Sequence, residues 1–120
     1  MQGKRAERVG ALIKEEISHL ILRSLKDPRI GFVTVTRVRV SDDLRHARVY
    51  ISSAQGGTSH RSEALIGLKS AAGFLRGELT RRLRLRYAPA LLFFLDDSLE
   101  EDLHLADLLR QIEADEMTEL

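Results

Sequence analysis

Apolar residues recur at helical spacing in the first part of the chain. Val9, Leu12, Ile13, Ile17, Leu20, Ile21 and Leu25 are separated by Lys14, Glu15, Ser18 and Arg23, which predicts an amphipathic helix within residues 6 to 26. Asp27 precedes Pro28, whose ring disfavours helical geometry at Asp27, so the helix is expected to run up to that residue. The period then changes from helical to two. GFVTVTRVRV (31 to 40) and RHARVYISS (45 to 53) alternate and are rich in β-branched residues, with Ser-Asp-Asp-Leu between them. They read as an antiparallel hairpin. Strict alternation puts Phe32, Thr34, Thr36, Val38 and Val40 on one face of the first strand, and Val33, Val35, Arg37 and Arg39 on the other. In the second strand Ala47, Val49 and Ile51 turn to the core, leaving His46, Arg48 and Tyr50 outside.

AQGGTSHRS (54 to 62) is a loop by composition, and a helical pattern starts near Ser62 and continues through Leu65, Leu68, Ala71 and Ala72. Gly73 interrupts it. A second pattern follows through Leu75, Leu79 and Leu83, so two helices joined at Ala71-Ala72-Gly73 are expected. Pro89 opens a third strand, ALLFFLD (90 to 96), whose near-continuous apolarity predicts cover from the helices, with Phe93 and Phe94 in the core. Ser98 and Glu101 have capping-box spacing ahead of Leu103, Leu105, Leu108, Leu109 and Ile112, which predicts a short C-terminal helix. The reading is one α+β domain over residues 1 to 112, with a three-stranded sheet packed against helices and a flexible acidic tail over 113 to 120.

Composition narrows the chemistry. A chain of 120 residues that is 43% hydrophobic can bury one core without covalent staples, and the absence of Cys excludes disulfides, thiolate metal sites and thiol nucleophiles. The first ten residues lack an apolar signal core and no run is long enough to span a bilayer, so a soluble cytoplasmic protein is the expectation. The formal net charge of +1 hides a strong asymmetry. Residues 1 to 86 hold 18 Lys and Arg against 8 Asp and Glu, whereas residues 87 to 120 hold 1 against 10. The basic part has the charge balance of a polyanion binder.

The densest positive stretch is KSAAGFLRGELTRRLRLR (69 to 86), with six cations and one acid, Glu78. On a helix Leu75, Leu79 and Leu83 form one stripe and Arg76, Thr80, Arg81 and Arg84 an adjacent one, while Arg82 and Arg86 lie nearer the leucines. Guanidinium forks match phosphate oxygens, and contact with about five phosphates would give a log K against log salt slope of roughly −4 to −4.5 on duplex. The competing view is a merely solvated helix face; too few local acids for pairing, and further cations at Lys4, Arg5, Arg8, Arg37, Arg39 and Arg48, weigh against it. With six aromatic residues and Tyr50 the main exposed candidate, folded RNA read by backbone and shape is favoured over a stacked single strand.

Two other classes compete. Asp96, Asp97, Glu100, Glu101, Asp102 and His104 cluster, with Glu100 and His104 one helical turn apart, as a metal-dependent nuclease would need. Acids in a first helical turn also complement the helix dipole, and no HExxH, P-loop or GxSxG is present, so no enzyme, metal or cofactor is assigned. His19, His46 and His60 have no Ser or Asp partner by spacing. A protein-interaction module using the sheet face and the acidic segment is the other alternative.

The order of elements resembles a type II KH domain, α-β-β-α-kink-α-β with a terminal helix. LKDPRIGFVTVTRVRVSDDLRHARVYIS, AAGFLRGELTRRLRLRYAP and FFLDDS together resemble the ribosome-binding factor A family, from about Arg5 to Leu109. The chain has no GxxG; it resembles instead the family's interhelical Ala-x-Gly kink, here Ala71, Ala72 and Gly73. The resemblance implies a bacterial, monomeric, non-enzymatic factor that binds the immature 30S subunit near its decoding end and assists 16S rRNA maturation. It also implies competition with 70S formation and other assembly factors, such as a GTPase, as partners. It places RNA contacts at Lys69, Arg76, Arg81, Arg82, Arg84 and Arg86, with Lys4, Arg5 and Arg8 as a secondary region.

Overall fold

The computed structural model describes residues 3–53 and 58–96, together with residues 110 and 112, both helical. Helix α1 spans Lys4–Arg23, strand β1 Val33–Val40, strand β2 His46–Ser53, helix α2 Thr58–Leu83 and strand β3 Ala90–Leu95. The strands form one sheet in the order β1-β2-β3. β1 and β2 are antiparallel and β2 and β3 parallel, which makes the sheet mixed and α2 the crossover that parallel pairing requires. This is the α+β, KH-like architecture expected from the pattern.

Both helices cover the same face of the sheet. Ile13, Ile17 and Leu20 of α1 and Leu68, Leu75 and Leu79 of α2 meet Val35, Val40, Val49, Ile51 and Phe93 in one buried cluster. Each large side chain there contributes about 1.5–3 kcal/mol of transfer free energy, which sets the position of every more exposed group discussed below.

Several expectations are corrected. Helix α1 ends at Arg23, four residues before Asp27: Ser24 and Leu25 both donate to the Leu20 carbonyl, closing the last turn, and Ile30 N donates to the Asp27 carbonyl (3.1 Å) in a separate turn. Helix α2 starts at Thr58, inside the expected loop, and runs unbroken through Ala71, Ala72 and Gly73 where two helices were expected. A mid-helix Gly costs about 1 kcal/mol relative to Ala, less than the burial of Leu68, Leu75 and Leu79 on either side of it provides. The expected helix from Ser98 and the tail over 113 to 120 lie outside the described residues, residue 112 apart.

The facing of β1 is also different. Its pairing slips between Val35 and Arg37, so Thr36 is an extra residue, a β-bulge. The bulge resets the alternation: Val33 and Val35 before it and Val38 and Val40 after it all turn to the core, leaving Thr34, Arg37 and Arg39 outside. β3 is an edge strand covered on one face only, with Leu91 and Phe93 buried but Leu92 and Phe94 exposed, Phe94 by 42%.

Candidate nucleic-acid interface

The cationic residues fall on both sides of the sheet. On the uncovered face Arg37, Arg39 and Arg48 are exposed, in register with Tyr50, Phe94 and Leu92 across the three strands. Tyr50 is not the free ring expected. The Arg37 guanidinium lies 4.1 Å from its centroid and Phe94 stacks beside it at 5.6 Å, so it is half-buried. Asp96 accepts a hydrogen bond from Thr36 Oγ1 (2.5 Å) and approaches Arg37 Nε at 3.9 Å, so it serves the fold of this face. The rest of the acidic cluster, Asp97 to His104, lies outside the described residues. Among the described residues no group of three or more His, Asp or Glu side chains is placed to hold a metal.

On the helical side the arginine-rich end of α2 divides into groups with different work. Arg81 and Arg82 both pair with Glu78, and Arg82 also reaches Glu16 of α1 at 3.5 Å. The single acid of the stretch therefore engages two of its cations, contrary to the expectation from sequence that pairing would be negligible. Arg81 is largely and Arg82 about half exposed, so these pairs are weak and open to exchange for phosphate. Arg76 Nη2 donates to the Ala88 carbonyl (3.1 Å), which ties α2 to the approach of β3. Lys69 is exposed further up α2, roughly 10 Å from Arg76 at 1.5 Å per residue. Arg84 and Arg86 are exposed just beyond the helix, and Lys4, Arg5 and Arg8 are exposed on α1.

The end of α2 has a defined geometry. Arg84 has φ 52°, the left-handed conformation, and Leu85 N donates to the Thr80 carbonyl (3.2 Å). This is the Schellman closure, with an arginine where glycine is usual. Upstream, Gly73 and Gly77 are exposed, and a Cβ built on either would meet nothing within 4 Å. Their missing side chains leave open a strip of helix backbone flanked by Lys69, Arg76 and Arg81.

Beyond this closure the chain meets α1 and the β1–β2 turn. A cleft of about 400 Å³ opens there, with Arg5, Arg45, Arg76 and Arg86 on its walls and Tyr87 beside them. Three bonds hold its borders. Gly3 N donates to Asp42 Oδ1 (2.9 Å), Ala90 N to the Arg45 carbonyl (2.8 Å), and Arg76 to the Ala88 carbonyl. Among the described residues the one acid in the wall is Asp43, which accepts from Ser41 Oγ (2.6 Å) and Arg45 N (3.0 Å), and these bonds hold its carboxyl below its ordinary pKa of 3.8. Asp43 therefore stabilises the turn, in which Leu44 has φ 61°.

The cleft thus unites Arg5, Arg76 and Arg86 of the expected set, whereas Arg82 is turned toward α1. Two of its components were not anticipated. Arg45 is an isolated cation in a turn, with no local pattern to mark it. Tyr87 is 78% exposed, although the aromatic residues other than Tyr50 were expected to be mostly in the core. Its position directly after Arg86 and ahead of Ala88-Pro89, between the helical pattern and the third strand, was the available signal.

The family model for ribosome-binding factor A matches residues 5–109. A relative from Halothermothrix orenii named ribosome-binding factor A is 46% identical over 116 residues, covering 97% of this chain and 94% of its own length. The crystal structure of ribosome-binding factor A from Thermus thermophilus superimposes with a TM-score of 0.67 at 31% identity, covering 75% of this chain and 93% of that one. Coordinates of the Thermus thermophilus factor fitted into the cryo-EM map of its complex with the 30S subunit give a TM-score of 0.64 at 30% identity, covering 77% and 96%.

Proposed function

The chain belongs to the ribosome-binding factor A family, and from that premise we propose that it binds the immature 30S subunit through 16S rRNA, using the cationic end of its helical layer. One observation carries the reading: Arg5, Arg45, Arg76 and Arg86 converge on one cleft from α1, the β1–β2 turn, α2 and the segment before β3. Arg81 and Arg84 extend the surface along α2, and Lys69 marks its far end. The Thermus factor fitted into a 30S map supports the subunit as partner.

The mechanism is binding without chemistry. Guanidinium forks displace condensed counterions from phosphate, and the open strip at Gly73 and Gly77 admits an RNA backbone closer than a side-chain-bearing face would. The cations project from backbone positions that the fold holds at fixed spacing, so the interface favours the rRNA conformation whose phosphates match. The shift it produces equals the difference in affinity between the two rRNA states. Release follows when maturation removes the matching conformation, with a GTPase assembly factor as a candidate to assist. Association with the 30S subunit would put this work in the cytoplasm, where subunits are assembled.

Complementation tests the maturation step. In cells lacking the chain, the native sequence should restore processing of precursor 16S rRNA, and the variant Arg5→Ala/Arg45→Ala/Arg86→Ala should leave precursor accumulated at equal protein abundance. Full restoration by the triple variant would refute the cationic cleft as the working surface.

A further inference from the structure

Tyr87 presents a problem that phosphate binding does not solve. It is an aromatic ring 78% exposed at the edge of an arginine-lined cleft, and its flanking backbone is held firmly. Ala88 and Pro89 are buried, Arg76 holds the Ala88 carbonyl, and Ala90 N is bonded to Arg45. The ring is therefore displayed from a fixed support. The Arg86 guanidinium lies 5.7 Å from its centroid, within cation–π range, and braces it.

We propose that this cleft is a seat for one unstacked nucleotide of single-stranded RNA, the base lying on Tyr87 and the adjoining phosphates on Arg5, Arg45 and Arg86. The proposal rests on the RNA-binding reading above and specifies the kind of RNA it takes at this point. Charge complementarity selects the ligand: among the described residues the walls carry four guanidiniums against one carboxylate, and that carboxylate is already engaged by Ser41 and the Arg45 amide. A cleft of about 400 Å³ suits one nucleotide. The ring selects for the single strand, because bases within a duplex are already stacked, whereas a free base gains by lying on an aromatic face. Arg76 stays with the Ala88 carbonyl and forms the floor.

The chain contains no tryptophan, so Tyr87→Trp creates a lone indole on an exposed site, excited at wavelengths where Tyr50 does not absorb. An oligouridine of about nine nucleotides, in the range single-strand grooves accept, should quench it, and an abasic strand of equal length and charge should not. In competition assays with the otherwise native chain, Tyr87→Phe should keep the oligouridine affinity and Tyr87→Ala should lower it about tenfold, the usual effect of removing one stacking ring. Equal quenching by the abasic strand, quenching by an acidic peptide in place of RNA, or an unchanged affinity of Tyr87→Ala would each overturn the assignment. Binding of the same proteins to 30S subunits is measured in parallel. Retained 30S binding without a base-dependent signal would sink the nucleotide seat alone, whereas loss of 30S binding by the native chain would sink the broader reading with it.

Discussion

Arg84 sits where the backbone selects glycine. Its φ of 52° places Cβ against the carbonyl and costs on the order of 1 kcal/mol, yet this position carries an exposed cation at the end of the arginine-rich helix. Arg84→Gly should therefore raise folding stability by about 1 kcal/mol in chemical denaturation. The same change should weaken 30S binding and lower the salt slope by about 0.7–0.9 for one lost phosphate contact. Unchanged stability would contradict the backbone strain at Arg84, and undiminished binding would show that Arg84 contributes nothing to the interface. Single residues also mark the limit of sequence reading. That α2 would bear arginines on its outer face was legible from the leucine stripe of Leu75, Leu79 and Leu83. That Glu78 would hold both Arg81 and Arg82 was also legible, in their i, i+3 and i, i+4 spacing, whereas the approach of Glu16 from α1 to Arg82 is a tertiary contact that no spacing along one helix reveals.

Helix α2 uses glycine for two different purposes. Gly67 is buried, and a Cβ there would lie 2.7 Å from Ile30 Cγ1, so its small size lets the helix close on the turn after α1. Gly67→Ala should destabilise the fold by about 1–3 kcal/mol through overpacking. Gly73→Ala and Gly77→Ala meet empty space and should each stabilise the helix by up to about 1 kcal/mol, while together they weaken 30S binding by obstructing the open strip. Thermal melts paired with subunit binding separate the cases; unchanged binding by the double variant would remove the strip from the interface. The sequence located this helix but divided it at Gly73, because a glycine is a local signal and the buried stripe that carries the helix past it is a tertiary one. The hairpin was legible in the same partial way. Its strands followed from alternation, but one extra residue at Thr36 reverses the facing of everything before it, and only pairing with β2 exposes the slip.

At the scale of the molecule, topology converts a scattered set of cations into a surface. Arg5, Arg45 and Arg86 are far apart in sequence, and the parallel β2–β3 pairing brings the end of α2 back to the hairpin turn and the start of α1. Charge asymmetry along the chain predicted a polyanion partner, and the KH-like order predicted the architecture. The cleft itself required the three-dimensional closure of elements that carry one cation each. The central claim is that this surface makes the chain a small-subunit binder, and sedimentation with separated 30S, 50S and 70S particles across a salt series tests it most directly. Binding confined to 30S, weakening steeply with salt and losing about 2–3 units of slope in Arg5→Ala/Arg84→Gly/Arg86→Ala, is the predicted result. Equal association with all three particles, or 30S binding with an unchanged slope in the triple variant, would contradict it.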